Sequence, residues 1–281
     1  MSTSSTESLV RVERPEDHEH VAVLVLDRPS AMNAVSTAMA QALLAATAEV
    51  AADAAVRAVV IRSTHPRAFC VGADLKERNG SSDDDLRRQR LVTAPAYRGV
   101  LDLAVPVLAA VEGFALGGGC EIALSCDLVV AGRAAVLGLP EVSVGVVPGG
   151  GGTQLLTRRI GWSRAADLVL TGRRVEAEEA YRLGFVDRLV DPGSAVATAL
   201  ELADAIAANS PVAVRAAKQA MRLGLEGSLA TGLQVEEAAW RTAAFSADRA
   251  EGVAAFVEKR PPRWPGVAPW PGVAPWPGVA P

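Results

Sequence analysis

Lysine is scarce in this chain: Lys76, Lys218 and Lys259 are the only three among 28 basic residues, and the rest are arginines. Acidic residues number 32, so the formal charge is −4. Such a chain is poorly suited to gripping phosphate backbones as its main task. We read the arginine and alanine bias as compositional rather than mechanistic. Cysteine is equally sparse, with Cys70, Cys120 and Cys126 forming an odd set that lacks C-x-x-C spacing. That excludes a disulfide framework and a cysteine zinc site, and a reducing, cytoplasmic setting is expected. His18, His20 and His65 are the only histidines, a thin basis for a metal centre or a Ser/His/Asp triad. No metal is expected. His18 and His20 straddle the start of an expected edge strand, where solvent exposure accounts for them. Long apolar runs are missing too. Asp102, Glu112, Glu121, Asp127, Arg133 and Glu141 interrupt the most hydrophobic stretch, so no membrane-spanning helix is expected. The opening MSTSSTES has neither a basic nor an apolar region and reads as a polar arm rather than a signal peptide.

What is present is ample core material. Half of the 281 residues are hydrophobic and 21% are charged, enough for one large domain or two modest ones. HVAVLVLD (20–27) and VRAVVIR (56–62) read as buried strands. Between them, Ser36 is positioned to cap a helix running to about Asp53. NGSSDDD (79–85) reads as a polar, mobile stretch, followed by a helix to about Leu103. VPVLAAVEG predicts another strand leading into FALGGGCEIALSCD, and DLVVA and AVLGL predict two more before Pro140-Glu141. From Gly149 onward the pattern is helical, with long helices over 194–257. Strands alternating with helices, then helices alone, predict an α/β body with a helical C-terminal region. We place the core at 9–195 and the helical region at 196–263. WPGVAP occurs three times over 264–281; this Pro/Gly segment reads as an appended or extended tail and is left out of fold reasoning.

Common catalytic motifs are absent: there is no G-K-[ST], no G-x-G-x-x-G, no G-x-S-x-G and no H-E-x-x-H. Three glycine-bearing turns and two carboxylates remain. Gly117-Gly118-Gly119 sits between a strand and an apolar helix. Its first amides either stabilise a developing negative oxygen or belong to a tight crossing that only needs small residues. Glu121, in the same helix, is either a first-turn acid complementing the dipole or a catalytic group. Glu141 lies twenty residues further on, between Pro140 and Val142. Either it pairs with Arg158 or Arg159, or its apolar company raises its pKa and it works with Glu121 as acid and base. In VGADLKER (71–78), Gly72 would expose the amide of Ala73, Asp74 can cap a helix, and Lys76 offers a positive charge.

VGADLKER, FALGGGCEIALSCD, PEVSVGVVPGGGGTQLLTRRIG, LTGRRVEAEEAYRLGFVD and EGVAAFVEKRPPRW together resemble the enoyl-CoA hydratase (crotonase) superfamily, in its order and spacing from about residue 20 to 263. GADLKER, VVPGGGGTQ and EKRPPRW are similar to the methylglutaconyl-CoA hydratase branch, which includes AU-rich-RNA-binding members. The resemblance implies a superhelix of β-β-α repeats and a C-terminal helical region that trimerises, often into a dimer of trimers. It implies an acyl-CoA thioester substrate and no separate cofactor, since coenzyme A is part of the substrate, in a setting of fatty acid metabolism. The thioester carbonyl would accept from the amides of Ala73 and Gly118. Losing one such donor typically costs about 3 kcal/mol of transition-state stabilisation. Glu121 would match the residue that holds and activates water, and Glu141 the residue that protonates the carbon beside the thioester. Val71, Ala73, Lys76 and Lys259 would line the coenzyme A site, Lys259 reaching it from a neighbouring subunit.

Two glutamates favour a hydratase over a double-bond isomerase, which commonly manages with one carboxylate. RNA-binding members of the branch carry a lysine-rich first helix. STAMAQALLAATAEVAAD has no lysine or arginine, so RNA binding is not expected here.

Overall fold

A computed structural model describes residues 9–266. The chain enters as an antiparallel pair, β1 (Val10–Glu13) and β2 (Val21–Leu26), followed by α1 (Thr37–Ala52). The Ser36 side chain accepts from the Met39 amide and caps α1, as expected. Next come β3 (Ala58–Ser63), β4 (Ala68–Cys70), the single turn α2 (Leu75–Arg78) and the long α3 (Asp83–Leu101). A second unit repeats the order: β5 (Val107–Val111), β6 (Phe114–Leu116) and α4 (Gly118–Ser125). A third has β7 (Leu128–Gly132), β8 (Val136–Gly138), a 3-10 turn over Glu141–Val144 and α5 (Gly152–Ile160). Then follow α6 (Trp162–Thr171), β9 (Arg174–Glu176), α7 (Ala177–Leu183), β10 (Arg188–Val190), α8 (Ala195–Ala207), α9 (Pro211–Gly224), α10 (Leu229–Ala244) and α11 (Ala247–Glu258).

Within each repeat the two strands go to different sheets. One sheet has the order β1-β2-β3-β5-β7-β10 and the other β4-β6-β8-β9. Both are parallel except at one edge, where β1 and β9 run antiparallel to their neighbours. Three successive β-β-α turns therefore stack side by side, the repeat expected from the resemblance.

Parallel strands covered on both faces need apolar residues at every position, and β2 is buried along its whole length. Its alternation divides the core. Ala22, Leu24 and Leu26 face the main cluster with Met39, Leu43, Val59, Ile61 and Phe69. Val21, Val23 and Val25 face the opposite way, against Ala195, Ala199, Ala203 and Ala207 of α8. Alanines at every fourth position let that helix lie close on the sheet. The expected boundary at 195/196 thus falls at the head of a helix that seals the second face of the sheet.

Several expectations need correction. The strand following His18 and His20 is not an edge: β2 lies between β1 and β3, and the edge strand β1 was not read from the sequence. His18 is half-buried, its Nδ1 2.6 Å from the Asp204 carboxylate. The 79–85 stretch is not loose throughout. The Ser82 hydroxyl accepts from the Asp85 amide, the Asp85 carboxylate accepts from the Ser82 amide, and Asp83–Asp85 form the first turn of α3. This capping box satisfies two amides that the helix start would otherwise leave unpaired. The tail also joins the fold further than expected. The Trp264 indole donates to Ala208 O at 2.7 Å, and the Gly266 amide donates to Asp248 at 2.8 Å. The rest of the WPGVAP repeats lie outside the described residues.

Candidate active site

Two turns meet at the mouths of the smaller sheet's strands. The first is Val71-Gly72-Ala73, after β4. Val35 bridges across it, its amide donating to Gly72 O at 2.7 Å and its carbonyl accepting from the Asp74 amide at 3.1 Å. The second is Gly117-Gly118, opening α4. Gly72 takes φ +92° and Gly117 φ +52°, the left-handed region that glycine enters without strain. A methyl group on Gly72 would fall 2.8 Å from Leu116 O and 3.1 Å from the Gly118 nitrogen, so only glycine lets the two turns meet this closely. Neither the Ala73 amide nor the Gly118 amide donates to another group among the described residues. Two unpaired donors on adjoining turns, one at a helix N-terminus, form a cradle for an oxyanion.

Glu121 stands one turn into α4 and is 3% exposed. Its Oε1 accepts from the amides of Gly150 at 2.6 Å and Gly152 at 2.8 Å, and no group among the described residues donates to Oε2. Burial pushes this carboxyl upward from its ordinary pKa, while the amides of Gly152, Gly150 and Gly149 and the Arg90 charge pull it down. Glu141 heads the 3-10 turn after β8, and a methyl on Gly117 would come within 3.2 Å of its Oε1. Its Oε2 is buried with no hydrogen-bond partner among the described residues. Burial, with the negative charge of Glu121 adding to it, raises this carboxyl to about 7. Among the described residues Glu141 pairs with no arginine. Arg158 donates to Gln154, and Arg159 to the carbonyls of Leu124 and Cys126.

The fold therefore brings Ala73, Gly118, Glu121 and Glu141 together. Val71 is adjacent and half-buried, but its amide donates to Met32 O at 3.3 Å, so it presents no free donor. Lys76 is exposed in α2, whose start is capped by Asp74, and Asp74 is held by Arg28 at 2.7 Å. Lys259 ends α11 in the left-handed region, with an exposed side chain that pairs with nothing among the described residues. Within one chain it is not joined to the other site residues.

Sequence reasoning missed the partners of Glu121. Gly150 and Gly152 were visible only as a run of glycines, and Tyr97 was not singled out. The Tyr97 ring is 7% exposed and packs on both glycine turns: a methyl on Gly118 would meet its hydroxyl and one on Gly150 its Cγ. Its being one of only two tyrosines in the chain was the available signal.

Comparisons with known proteins agree with this fold. The model of the enoyl-CoA hydratase/isomerase family matches residues 16–267. A Bacillus subtilis protein named as an enoyl-CoA hydratase/isomerase is 46% identical over 252 residues, covering 89% of this chain and 96% of its own. Human mitochondrial methylglutaconyl-CoA hydratase is 38% identical over 270 residues, covering 94% of this chain and 80% of its own. The crystal structure of enoyl-CoA hydratase from Bacillus anthracis superposes with a TM-score of 0.88 at 39% identity, covering 91% of this chain and 98% of that one. With two glutamates and two free amides gathered on stacked β-β-α turns, the chain belongs to the enoyl-CoA hydratase/isomerase family.

Proposed function

We propose that this protein is an enoyl-CoA hydratase that adds water across the 2,3 double bond of a 2-enoyl-CoA thioester. The observation that carries the reading is one cradle of free amides flanked by two carboxylates in unlike surroundings. The thioester oxygen accepts from the amides of Ala73 and Gly118. As water adds to C3, the π electrons move toward that oxygen, where the two donors and the α4 dipole stabilise the charge. Glu121, fixed through Oε1, takes the proton from water on Oε2. Glu141, raised to about 7 and so protonated in about half of the molecules in neutral solution, gives its proton to C2. The two carboxyls then exchange protons with solvent to reset. Val71, Ala73, Lys76 and, from a neighbouring subunit, Lys259 line the coenzyme A site.

The same reading includes self-assembly. Leu225, Leu229, Leu233, Trp240, Phe245, Phe256 and Val257 are all more than half exposed on and around α9–α11, and α10 buries none of its residues. A trimer, or a dimer of trimers, covers these side chains and places Lys259 beside another subunit's substrate. A cytoplasmic setting belongs to this reading too, supported by three buried free thiols. The deciding assay offers crotonyl-, longer-chain enoyl- and 3-methylglutaconyl-CoA side by side and follows loss of enoyl-thioester absorbance. Turnover of roughly 1–1000 per second on one of them is expected. No turnover on any, with double-bond migration in a 3-enoyl-CoA instead, would make the isomerase reading the better one.

A further inference from the structure

The carboxylate of Glu121 depends on a turn with little rigidity of its own. Gly149 to Gly152 are four consecutive glycines, the residue type with the most backbone freedom to lose. Their Gly150 and Gly152 amides nonetheless meet Oε1 at 2.6 and 2.8 Å. Something outside the turn must hold it, and α3 contributes at two points. Tyr97 packs its ring on Gly150. Two helical turns earlier, Arg90 donates from Nη2 to Gly149 O at 2.6 Å.

That oxygen belongs to the same peptide group as the Gly150 amide. The planar peptide therefore accepts a cation's hydrogen bond at one end and gives its own to Glu121 at the other. Hydrogen bonds in such a chain polarise one another, most strongly where the ends are charged. Arg90 is also set apart from its neighbours. Arg87 and Arg88 are engaged by Asp84 and Asp85 at 2.6 Å each, whereas Arg90 has no carboxylate partner among the described residues. Its positive charge favours the carboxylate form of Glu121.

We propose that Arg90 is a positioning residue for Glu121, orienting and stabilising its carboxylate through the Gly149–Gly150 peptide group. This rests on the hydratase reading for its catalytic consequence, but not for its physical one. The other titratable groups around Glu121 are Glu141 across the cradle, the Tyr97 phenol on α3 and the Cys120 thiol on α4.

The test compares the full-length protein with Arg90→Met, Arg90→Lys and, as a surface control, Arg88→Met. In Arg90→Met, kcat should fall about 10-fold with KM within about 2-fold, since the loss is of an interaction with a catalytic group and not with substrate. Carbon-13 NMR titration of the Glu121 carboxyl, without substrate, should show it protonating at higher pH than in the parent. Arg90→Lys should recover much of both effects, and Arg88→Met should show neither. A parent-like kcat and Glu121 titration in Arg90→Met would overturn the proposal. So would a change confined to KM, which would mean Arg90 meets the substrate, or a lower Tm with an unmoved titration, which would mean it only supports α3. A shifted titration in a protein whose parent hydrates no enoyl-CoA would leave the relay standing and refute the hydratase reading alone.

Discussion

Glu121 and Glu141 carry the same functional group in unlike surroundings. Glu121 is gripped by two amides, whereas Glu141 has a buried oxygen with no partner. Replacing either by glutamine should lower kcat at least about 100-fold, the scale of a positioned acid or base, while binding of a coenzyme A ester largely survives. Full hydratase activity in Glu141→Gln would point to a single-carboxylate mechanism. The raised Glu141 carboxyl also sets a pH limb. On the proposed mechanism its working form is the protonated one, so kcat/KM should decline as pH rises through about 7. The same shift is a stability statement. The fold favours the protonated form, so the contribution of Glu141 is complete below its ordinary 4.5 and lost as pH rises through about 7. Glu141→Gln should therefore raise Tm more at pH 8 than at pH 4, as read by thermal melts; an equal shift at both would contradict it. Both glutamates were legible in the sequence because each sits at a marked turn, behind a glycine run or a proline. The amides of Gly150 and Gly152 were not. They lie 29 and 31 residues from Glu121 along the chain, and no local spacing announces a contact over that distance.

At the scale of elements, apolar runs and caps told most. The buried strands β2, β3, β5 and β7, the Ser36 cap and the C-terminal helices all follow from periodicity. The three-residue strands β4, β6 and β9 do not show as runs, because they are completed by pairing across the second sheet. The start of α3 was misread for a related reason. Serine and aspartate clusters serve loops and helix caps alike, and only the Ser82–Asp85 reciprocity distinguishes them. Removing that hydroxyl in Ser82→Ala should cost about 1 kcal/mol by denaturant titration. A different kind of loss is expected where α4 crosses the smaller sheet. A methyl on Gly119 would fall 2.0 Å from Cys70 O, and backbone cannot rotate out of the way. Gly119→Ala should destabilise by about 3 kcal/mol or more. Stability equal to the parent would mean that α4 can shift away from β4.

Over the whole molecule, the exposed apolar side chains of α9–α11 predict that light scattering at micromolar concentration gives three or six times the subunit mass. Leu229→Glu combined with Phe256→Glu should lower it; a parent protein that is already monomeric would refute the assembly. Selective RNA binding should be absent, since α1 carries no basic residue and the net charge is −4. Labelled AU-rich RNA titrated at about 150 mM salt checks this, with weak contacts screened; sub-micromolar binding that prefers it over scrambled RNA would show the surface misjudged. The distribution of the site over the chain has a further consequence. The Gly118 amide and Glu121 ride on one rigid helical turn, whereas Glu141 arrives on a separate 3-10 turn after β8. On the proposed mechanism, one of the two oxyanion donors and the carboxylate that takes the water's proton therefore move together, whereas the carboxyl that delivers a proton to carbon is carried on a different turn. Thermal loosening or substitution near residue 141 should therefore uncouple the two, leaving a protein that still binds and polarises its substrate but no longer completes the addition.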